Sequence, residues 1–281
     1  MFEPPPLIKS VLQPIFFPLY RSAIRLQCWY SDLVSTKHHD DLPVPLAILR
    51  FRVGESVNVE TFFAVGKKTV QDIEVALDSI GKPLEHFNSI LDFGCGCGRT
   101  LMWLAKTLPG KTLYGTDVDE SSIRWCQANL RYAECTVNAS VPPTTFSGGN
   151  FDFVYAISVF THINEDHQIE WLSELHRILE PGGLLLLTVH GKHIWQGLSH
   201  EDLQILEKQG FLFKTSSKLH GFVPDWYHTA YHSREYVMRT FSSSFKILAY
   251  LEAGLGYQDL ILLERRSTSG FFTSTRTCEM G

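Results

Sequence analysis

The stretch that decides the fold of this chain is residues 89–99, Ser89-Ile90-Leu91-Asp92-Phe93-Gly94-Cys95-Gly96-Cys97-Gly98-Arg99. Its first five residues are mostly apolar and predict a short buried strand of a parallel sheet. The glycines that follow predict a tight turn, because a residue without a Cβ permits left-handed backbone and close approach of a ligand. A helix is predicted next, over residues 100–108. This order places bare backbone amides at the carboxyl end of a parallel sheet, where ligands bind in α/β folds.

Strands and helices alternate on both sides of this stretch. A helix is predicted at residues 71–80, and later strands at residues 111–117, 134–137, 151–157 and 184–189. Helices are predicted between them at residues 121–130 and 166–179, the latter with Ile169, Leu172, Leu175 and Leu179 on its apolar face. Strands at residues 245–252 and 258–264 are close enough to pair antiparallel. The pattern predicts a mostly parallel α/β sheet with helices on both faces and a C-terminal antiparallel hairpin.

Composition bounds the class of protein. The chain has 281 residues, of which 44% are hydrophobic and 20% charged, as in ordinary globular domains. The formal net charge of −5 and the lack of a basic run argue against nucleic acid as a partner. The six cysteines form neither a disulfide framework nor zinc-type pairs, which favours a reducing cytoplasm.

The regions outside the alternating pattern are predicted to be extensions of one domain. Residues 1–30 are apolar but carry Lys9, Arg21 and Arg25 and are interrupted by Pro14 and Pro18, so they fit neither a membrane span nor a signal peptide. Packing onto the domain is favoured over an amphipathic segment resting on a membrane surface. Residues 191–240 form a long aromatic and histidine-rich insertion, and residues 267–281 a loose polar tail.

The glycine turn alone would indicate little more than a strand-to-helix connection. Its pattern is GxGxG. Arg99 stands where the third glycine of the dinucleotide fingerprint GxGxxG would be, which argues against a pyrophosphate ligand. Asp117 lies 19 residues beyond Gly98 at the end of the next strand. An acid there suits hydrogen bonds from two ribose hydroxyls. The alternative role, capping the following helix, is also open to Asp119.

Four segments resemble motifs of the class I S-adenosylmethionine-dependent methyltransferases. Residues 90–99 resemble motif I, and Tyr114-Gly115-Thr116-Asp117-Val118 resembles motif II. Residues 150–154 and 177–183 are similar to the family's later motifs, and all four come in the family's order. The resemblance implies a Rossmann-like fold with a seven-stranded sheet, S-adenosylmethionine as cofactor and S-adenosylhomocysteine as product. Methyl transfer of this kind requires no metal in principle.

The same resemblance implies which residues contact the cofactor. The turn contributes Asp92, Gly94, Cys95, Gly96 and Gly98, with both turn cysteines, Cys95 and Cys97, acting as small fillers rather than nucleophiles. Asp117 takes the ribose hydroxyls and Val118 packs on the adenine. Asn138 and Ala139 lie at the adenine edge, although many members have an acid where this chain has Asn138. Ile157 and Ser158 touch the cofactor from the end of the fourth strand.

Histidines are the candidate catalytic residues. An enzyme of this class chiefly aligns the methyl group with a nucleophile and excludes water, and a hydroxyl acceptor would need a base. His162 is the first candidate, because it follows the strand that ends at the cofactor. His228 and His232 lie in the insertion, within a segment that is either a substrate wall or the packing of a long loop. A single histidine is more often structural than catalytic, which is the alternative for each.

The sequence therefore predicts methyl transfer to a small-molecule acceptor, with a hydroxyl oxygen favoured. Residues 1–70 are predicted to form an N-terminal extension or lid over a methyltransferase domain at residues 71–266. Arg50 or Arg52 could pair with the cofactor's carboxylate or with an anionic acceptor, although a surface salt bridge is slightly favoured. One rival is a noncatalytic cofactor-binding scaffold. A nicotinamide oxidoreductase is disfavoured by Arg99.

Overall fold

The computed structural model describes residues 6–215 and 228–266, with side chains from residue 17 onward. Its helices and strands, in chain order, are α1 (Pro6–Val34), β1 (His38–His39), β2 (Leu42–Pro43), α2 (Ala47–Gly54), α3 (Val59–Asp78), β3 (Ser89–Phe93), α4 (Arg99–Thr107), β4 (Thr112–Asp117), α5 (Glu120–Asn129), β5 (Ala133–Val137), β6 (Phe151–Ala156), α6 (Glu165–Ile178), β7 (Leu179–Val189), α7 (His200–Gln209), β8 (Phe211–Lys214), β9 (Thr229–His232), α8 (Arg234–Phe241), β10 (Phe245–Leu255) and β11 (Gln258–Arg265).

Seven strands form the central sheet, in the order β10-β11-β7-β6-β3-β4-β5. The five strands from β7 to β5 run parallel, while β11 pairs antiparallel with both β7 and β10. The predicted fold class is therefore confirmed. Successive strands leave β3 in opposite directions, with β4 and β5 on one side and β6 and β7 on the other. A crevice forms at such a reversal, outside the carboxyl ends of the strands.

The central strands are apolar throughout because helices cover both faces. Successive residues of β3 enter different layers: Ile90 packs with α3 and α4, and Leu91 packs with α6 and α8. Side chains of a strand point alternately to the two faces, so a strand that is buried on both sides needs a continuous apolar run.

Three of the four residues predicted on the apolar face of α6 are buried, namely Leu172, Leu175 and Leu179, and the fourth is not. Ile169 is 52% exposed, whereas Trp171 is 2% exposed and packs with Leu172 and Leu175. Each residue turns an α-helix by 100°, so Ile169 lies roughly opposite Trp171. The polar side chain of Glu174 is also buried, because it pairs with Arg177 and accepts hydrogen bonds from Thr144. Hydrophobicity alone therefore placed one residue, Ile169, on the wrong face of this helix.

The N-terminal region begins with α1, which has two different faces. Ile24 and Cys28 are buried against Ala47 and Phe51 of α2, as packing onto the domain requires. Leucine and aromatic side chains on another face are exposed, namely Leu19, Leu26, Trp29, Tyr30 and Leu33. Within the described residues, none of the helices combines the length and the apolar character needed to cross a bilayer.

The helix predicted at residues 71–80 is the second half of α3, which starts at Val59. The predicted boundary at residue 70 thus falls inside this helix. Gly66 lies in its middle because an added Cβ would overlap the backbone carbonyl of Arg99. The close approach seats α3 on α4, directly behind the glycine turn.

The insertion at residues 191–240 contains regular structure rather than a simple loop. Helix α7 precedes a hairpin of β8 and β9, and α8 follows the hairpin. The hairpin is attached to the sheet, because Ala230 N donates to Thr161 O and His232 N donates to His190 O. Asp225, Trp226 and Tyr227, predicted as part of a substrate wall, lie outside the described residues, as does the tail at residues 267–281.

A candidate cofactor and acceptor cavity

A cavity of about 490 Å³ opens at the carboxyl ends of β3, β4 and β6. Its walls come from the glycine turn, the end of β4, the loop after β6, helix α2 and the start of the insertion hairpin. The volume is within the range of small-ligand sites, roughly 300–1,000 Å³. The cavity also lies beside the reversal of strand order, where ligands of α/β sheets bind.

The glycine turn forms the floor of this cavity. Gly94, Gly96 and Gly98 have φ values of 81°, 51° and 76°, in the left-handed region that other residues avoid. Asp92, Gly94, Cys95 and Gly96 line the cavity, and Gly98 does not. Gly98 instead precedes α4 and packs against Leu130, where an added Cβ would collide. Its role in this structure is to let the turn enter the helix.

The turn cysteines are buried thiols. Cys97 is fully buried, and burial raises the pKa of its thiol to about 12. Cys95 lies under the turn with its Sγ facing Gly115. Thiols held protonated in this way are poor nucleophiles, which agrees with their predicted role as small fillers. Among the described residues, no group of three or more His, Cys, Asp and Glu side chains could hold a metal ion.

Asp117 ends β4 and fixes the turn electrostatically. Its Oδ2 accepts a hydrogen bond of 2.7 Å from Gly96 N, and its Oδ1 accepts one of 2.8 Å from Asp119 N. Burial raises the pKa of Asp117, and these amides oppose the rise by stabilising the carboxylate. A carboxylate has about four acceptor positions. It therefore has capacity for further donors, such as the two hydroxyls of a ribose.

Asp119, not Asp117, caps α5, since its side chain accepts from Ser121 N. The same carboxylate pairs with Arg52 of α2, at 3.1 and 2.9 Å from Nη1 to the two oxygens. Both residues line the cavity. Arg50 does not: it is buried behind α2, where its Nη2 donates to Val57 O and Ser31 Oγ. Of the two predicted arginines, only Arg52 faces the site.

The other predicted cofactor residues divide between the cavity wall and its surroundings. Val118, Asn138, Ile157 and Ser158 line the cavity, whereas Ala139 does not. The Oδ1 of Asn138 accepts from Thr116 Oγ1, and its Nδ2 donates to the carbonyl of Ala139. The side chain of Asn138 is thus oriented by its neighbours before any ligand arrives.

Two of the three candidate histidines line the cavity. His162 and His228 do so, from the loop after β6 and from the residue before β9. His162 Nδ1 lies 2.6 Å from the backbone carbonyl oxygen of His228. Burial lowers the pKa of His162 to about 4, so its imidazole is neutral at ordinary pH. The loop from β6 and the end of the insertion therefore meet at this imidazole.

His232 lies away from the cavity. Its side chain is fully buried, with Nε2 at 3.0 Å from Gln168 Oε1. Burial lowers the pKa of His232 to about 3. It joins β9 to α6, which is a structural position.

Several cavity residues were not predicted from the sequence. Asn164, His167 and Trp171 come from the start of α6, and Phe213 and Thr215 come from β8 and its end. Asn164 caps α6 by accepting from His167 N. The cap signal of an Asn before a helix was present in the sequence, and in a parallel α/β sheet a helix that starts after a strand begins at the ligand edge. Phe213 had no comparable signal, because its place depends on the pairing of β8 with β9.

Comparison with known proteins identifies residues 90–183 as matching a family model described as a methyltransferase domain. The chain is similar to the tRNA N(3)-cytidine methyltransferase METTL2 of Danio rerio, 24% identical over 51% of this chain and 43% of the relative. It is also similar to O-methyltransferase 3 of Dictyostelium discoideum, 27% identical over 43% of this chain and 29% of the relative. The matches thus span less than half the length of these curated relatives.

Solved structures share the fold. A methyltransferase from Methanosarcina mazei aligns with a TM-score of 0.51 at 21% identity, over 65% of this chain and 94% of that one. Another, from Mesorhizobium loti, aligns with a TM-score of 0.52 at 14% identity, over 68% of this chain and 96% of that one. Both are described as S-adenosylmethionine-dependent.

The prediction that excludes nucleic acid as a partner is wrong. Relatives from Danio rerio, Homo sapiens and Schizosaccharomyces pombe are named as tRNA N(3)-cytidine or N(3)-methylcytidine methyltransferases. The error lay in using net charge, which sums the whole surface, whereas phosphate contacts need only a local set of lysines and arginines.

The predicted motifs, the match at residues 90–183 and the sheet order agree on one family. The cavity is consistent with it, because its floor is the glycine turn and Asp117 lies in its wall. Residues 90–183 thus form a methyltransferase domain, and the sheet around them has the fold of structures described as S-adenosylmethionine-dependent methyltransferases.

Proposed function

We propose that this methyltransferase transfers the methyl group to a hydroxyl oxygen of a small-molecule acceptor, with His162 as the base. The observation that carries the proposal is the hydrogen bond between His162 Nδ1 and the carbonyl of His228, in the wall of the cofactor cavity. A carbonyl oxygen can only accept, so the proton of the neutral imidazole is on Nδ1. The lone pair is then on Nε2, in the tautomer that a base requires.

The reaction does not require a strongly basic histidine. The cofactor supplies a methyl group on a sulfonium, and the acceptor oxygen forms the new bond as the carbon–sulfur bond breaks. The hydroxyl proton becomes strongly acidic as the oxygen is methylated, so it passes readily to Nε2 although burial lowers the pKa of His162 to about 4. The loop that carries His162 has the further role of orienting the acceptor and excluding water.

The cofactor would be held mainly by the floor and one wall of the cavity. Asp117 is proposed to accept from the ribose hydroxyls, with Val118 and Asn138 on the adenine side. Asp92, Gly94 and Gly96 are proposed to surround the methionine part. Burial raises the pKa of Asp92 well above its usual value. A cationic group of a ligand beside it would favour the ionised form.

The segment before α3 is proposed as the lid of this cavity. Val53 of α2 lies so close to Gly96 that an added Cβ there would overlap its Cγ1. The ion pair of Arg52 with Asp119 joins the same helix to the start of α5. The insertion at residues 191–240 is proposed as the acceptor wall, because Phe213, Thr215 and His228 line the cavity.

A second candidate acceptor is a nucleobase nitrogen of RNA, favoured by the relatives named for tRNA N(3)-cytidine methylation. A ring nitrogen of this kind already has a lone pair to attack the methyl group. It requires no base, so removal of the His162 imidazole would leave its methylation largely intact. The two candidates therefore differ in their dependence on His162.

The test is a screen of acceptors against the purified protein, read by formation of S-adenosylhomocysteine. Phenols, aliphatic alcohols and carboxylates form one panel, and transcribed tRNAs the other. The proposal expects turnover with a member of the first panel that is lost in His162→Ala. Turnover with tRNA alone, unaffected by that change, would establish the second candidate instead. Binding of the cofactor without turnover on either panel would support a noncatalytic scaffold.

A further inference from the structure

Ser158 has an unusual backbone conformation at the wall of the cavity. Its φ is 58°, in the left-handed region, although it is not a glycine. A side chain with a Cβ is strained there, so the surrounding structure must hold the conformation. Ser158 is the second residue after β6 and lies in the turn that leads to His162. The strain is therefore located between the cofactor cavity and the candidate base.

Two side chains from other strands hold Ser158 in place. Its backbone N donates to Thr188 Oγ1 of β7 at 2.9 Å. Its Oγ lies 3.1 Å from Gln258 Oε1 and 2.8 Å from Gln258 Nε2, at the first residue of β11. Thr188 is fully buried and Gln258 is 3% exposed. Both are thus packed anchors, and the Ser158 amide and hydroxyl are each satisfied by one of them.

The left-handed residue determines where the next residues lie. Val159 follows it and places its Cγ2 where a Cβ of Gly94 would be, so it packs directly on the glycine turn. The carbonyl of Val159 then accepts from His162 N at 2.9 Å. One end of this loop is consequently fixed to the cofactor floor, and the other presents His162.

We propose that Gln258 and Thr188 are positioning residues, which act by holding Ser158 in its left-handed conformation. Through Ser158 they keep Val159 packed against the turn at Gly94, and so determine the position of the loop after β6 relative to the cofactor. Neither Gln258 nor Thr188 lies in the cavity wall, so neither is proposed to contact cofactor or acceptor. The inference rests on cofactor binding in this cavity and not on the identity of the acceptor.

The test measures affinity for S-adenosylhomocysteine by calorimetry, which involves no acceptor. Gln258→Leu removes both hydrogen bonds to Ser158 at similar volume, and we expect affinity to fall by about tenfold, or about 1.4 kcal/mol. Ser158→Gly alone sets the reference affinity for the double variant, because glycine adopts φ near 58° without strain and needs no anchor. The double variant should regain the affinity of Ser158→Gly. If Gln258 only stabilised the hairpin, the glycine would not rescue binding, and losses that simply add would overturn the proposal.

Thr188 provides an independent arm that leaves β11 intact. Thr188→Val keeps the shape of the side chain and removes the acceptor of the Ser158 amide, whereas Thr188→Ser keeps the hydroxyl. We expect binding to weaken in Thr188→Val and to be restored when Ser158→Gly is added. In Thr188→Ser we expect near-normal binding. Equal binding by Thr188→Val, Thr188→Ser and the unchanged protein would overturn the proposal, even if Gln258→Leu fails to fold. A failed search for acceptors would affect neither outcome, so the two proposals can be judged separately.

Discussion

The two ends of the cavity are built in different ways. The cofactor end comes from residues that are close in sequence, the glycine turn after β3 and Asp117 at the end of β4. The acceptor end is assembled from distant segments: His162 after β6, Phe213 in β8, and His228 before β9. The first is determined by a local strand, turn and helix, and the second by how the insertion packs on the sheet. The local chain order therefore places the main cofactor residues, whereas the acceptor residues come together only through contacts between distant segments.

The largest effect should come from closing the cofactor end. Gly96→Val adds branches that overlap Val53 and forces a β-branched residue to a φ of 51°. We expect calorimetry to detect no binding of S-adenosylhomocysteine. Gly110→Val is the matched control, since Gly110 has a φ of 86° but open space around it. If both variants bind normally, neither crowding nor strain at the turn matters, and the cofactor end has been misplaced.

At the acceptor end, the largest effect should come from His162→Ala. Loss of a general base lowers turnover by about 10²–10⁴-fold. Affinity for S-adenosylhomocysteine should change by less than about threefold, because the imidazole is proposed to act on the acceptor. His167→Ala is the control, because His167 lines the same cavity and is assigned no part in the proposed reaction. Full turnover in His162→Ala would mean that transfer depends on alignment alone.

The pH dependence gives a second readout of the same histidine. Burial lowers the pKa of His162 to about 4, so Nε2 keeps its lone pair as the pH falls from 8 to about 5. The acid limb of turnover should therefore lie near pH 4, below the value of about 6.5 for an exposed histidine. Unfolding must be followed in parallel, because a buried neutral histidine makes the protein less stable as the pH falls below about 6.5. A limb at 6.5 in folded protein would contradict a buried base.

The local elements of the fold could be predicted from the sequence, whereas contacts between distant segments could not. The strand at residues 89–93 was predicted with its observed bounds, and the sheet with its closing hairpin followed from the alternation of apolar runs. His162 could be proposed because it follows a strand, but its neutral tautomer depends on a carbonyl 66 residues away. Burial of Glu174 on the inner side of α6 was not predicted, because it depends on hydrogen bonds from Thr144, 30 residues away. Local order is encoded in periodicity, whereas these polar contacts between distant segments are not.

A smaller effect is expected from Asp117→Ala at the cofactor end. The change removes two proposed charge-assisted hydrogen bonds to the ribose, each worth about 1.5–3 kcal/mol, so affinity should fall at least tenfold. Asp119→Asn is a suitable comparison, since it keeps a cap for α5 and removes the neighbouring charge. Calorimetry with S-adenosylhomocysteine measures both. Equal affinity in Asp117→Ala and the unchanged protein would show that another acid holds the ribose.

The smallest effect tests whether the proposed lid belongs functionally to the cofactor end. Arg52 and Asp119 form an ion pair with 27% and 14% of their side chains exposed, so solvent screens it in part. Pairs of this kind contribute about 0.2–1 kcal/mol, which corresponds to a change in affinity of no more than about fivefold. We expect Arg52→Gln to weaken S-adenosylhomocysteine binding within that limit, and added salt to reduce the difference. In Asp119→Asn the same arginine substitution should have a smaller further effect, because the charge of Asp119 is already gone. Independent, additive losses would mean that Arg52 affects ligand binding by a route other than its pair with Asp119, and the proposed role of this ion pair in the lid would then be wrong.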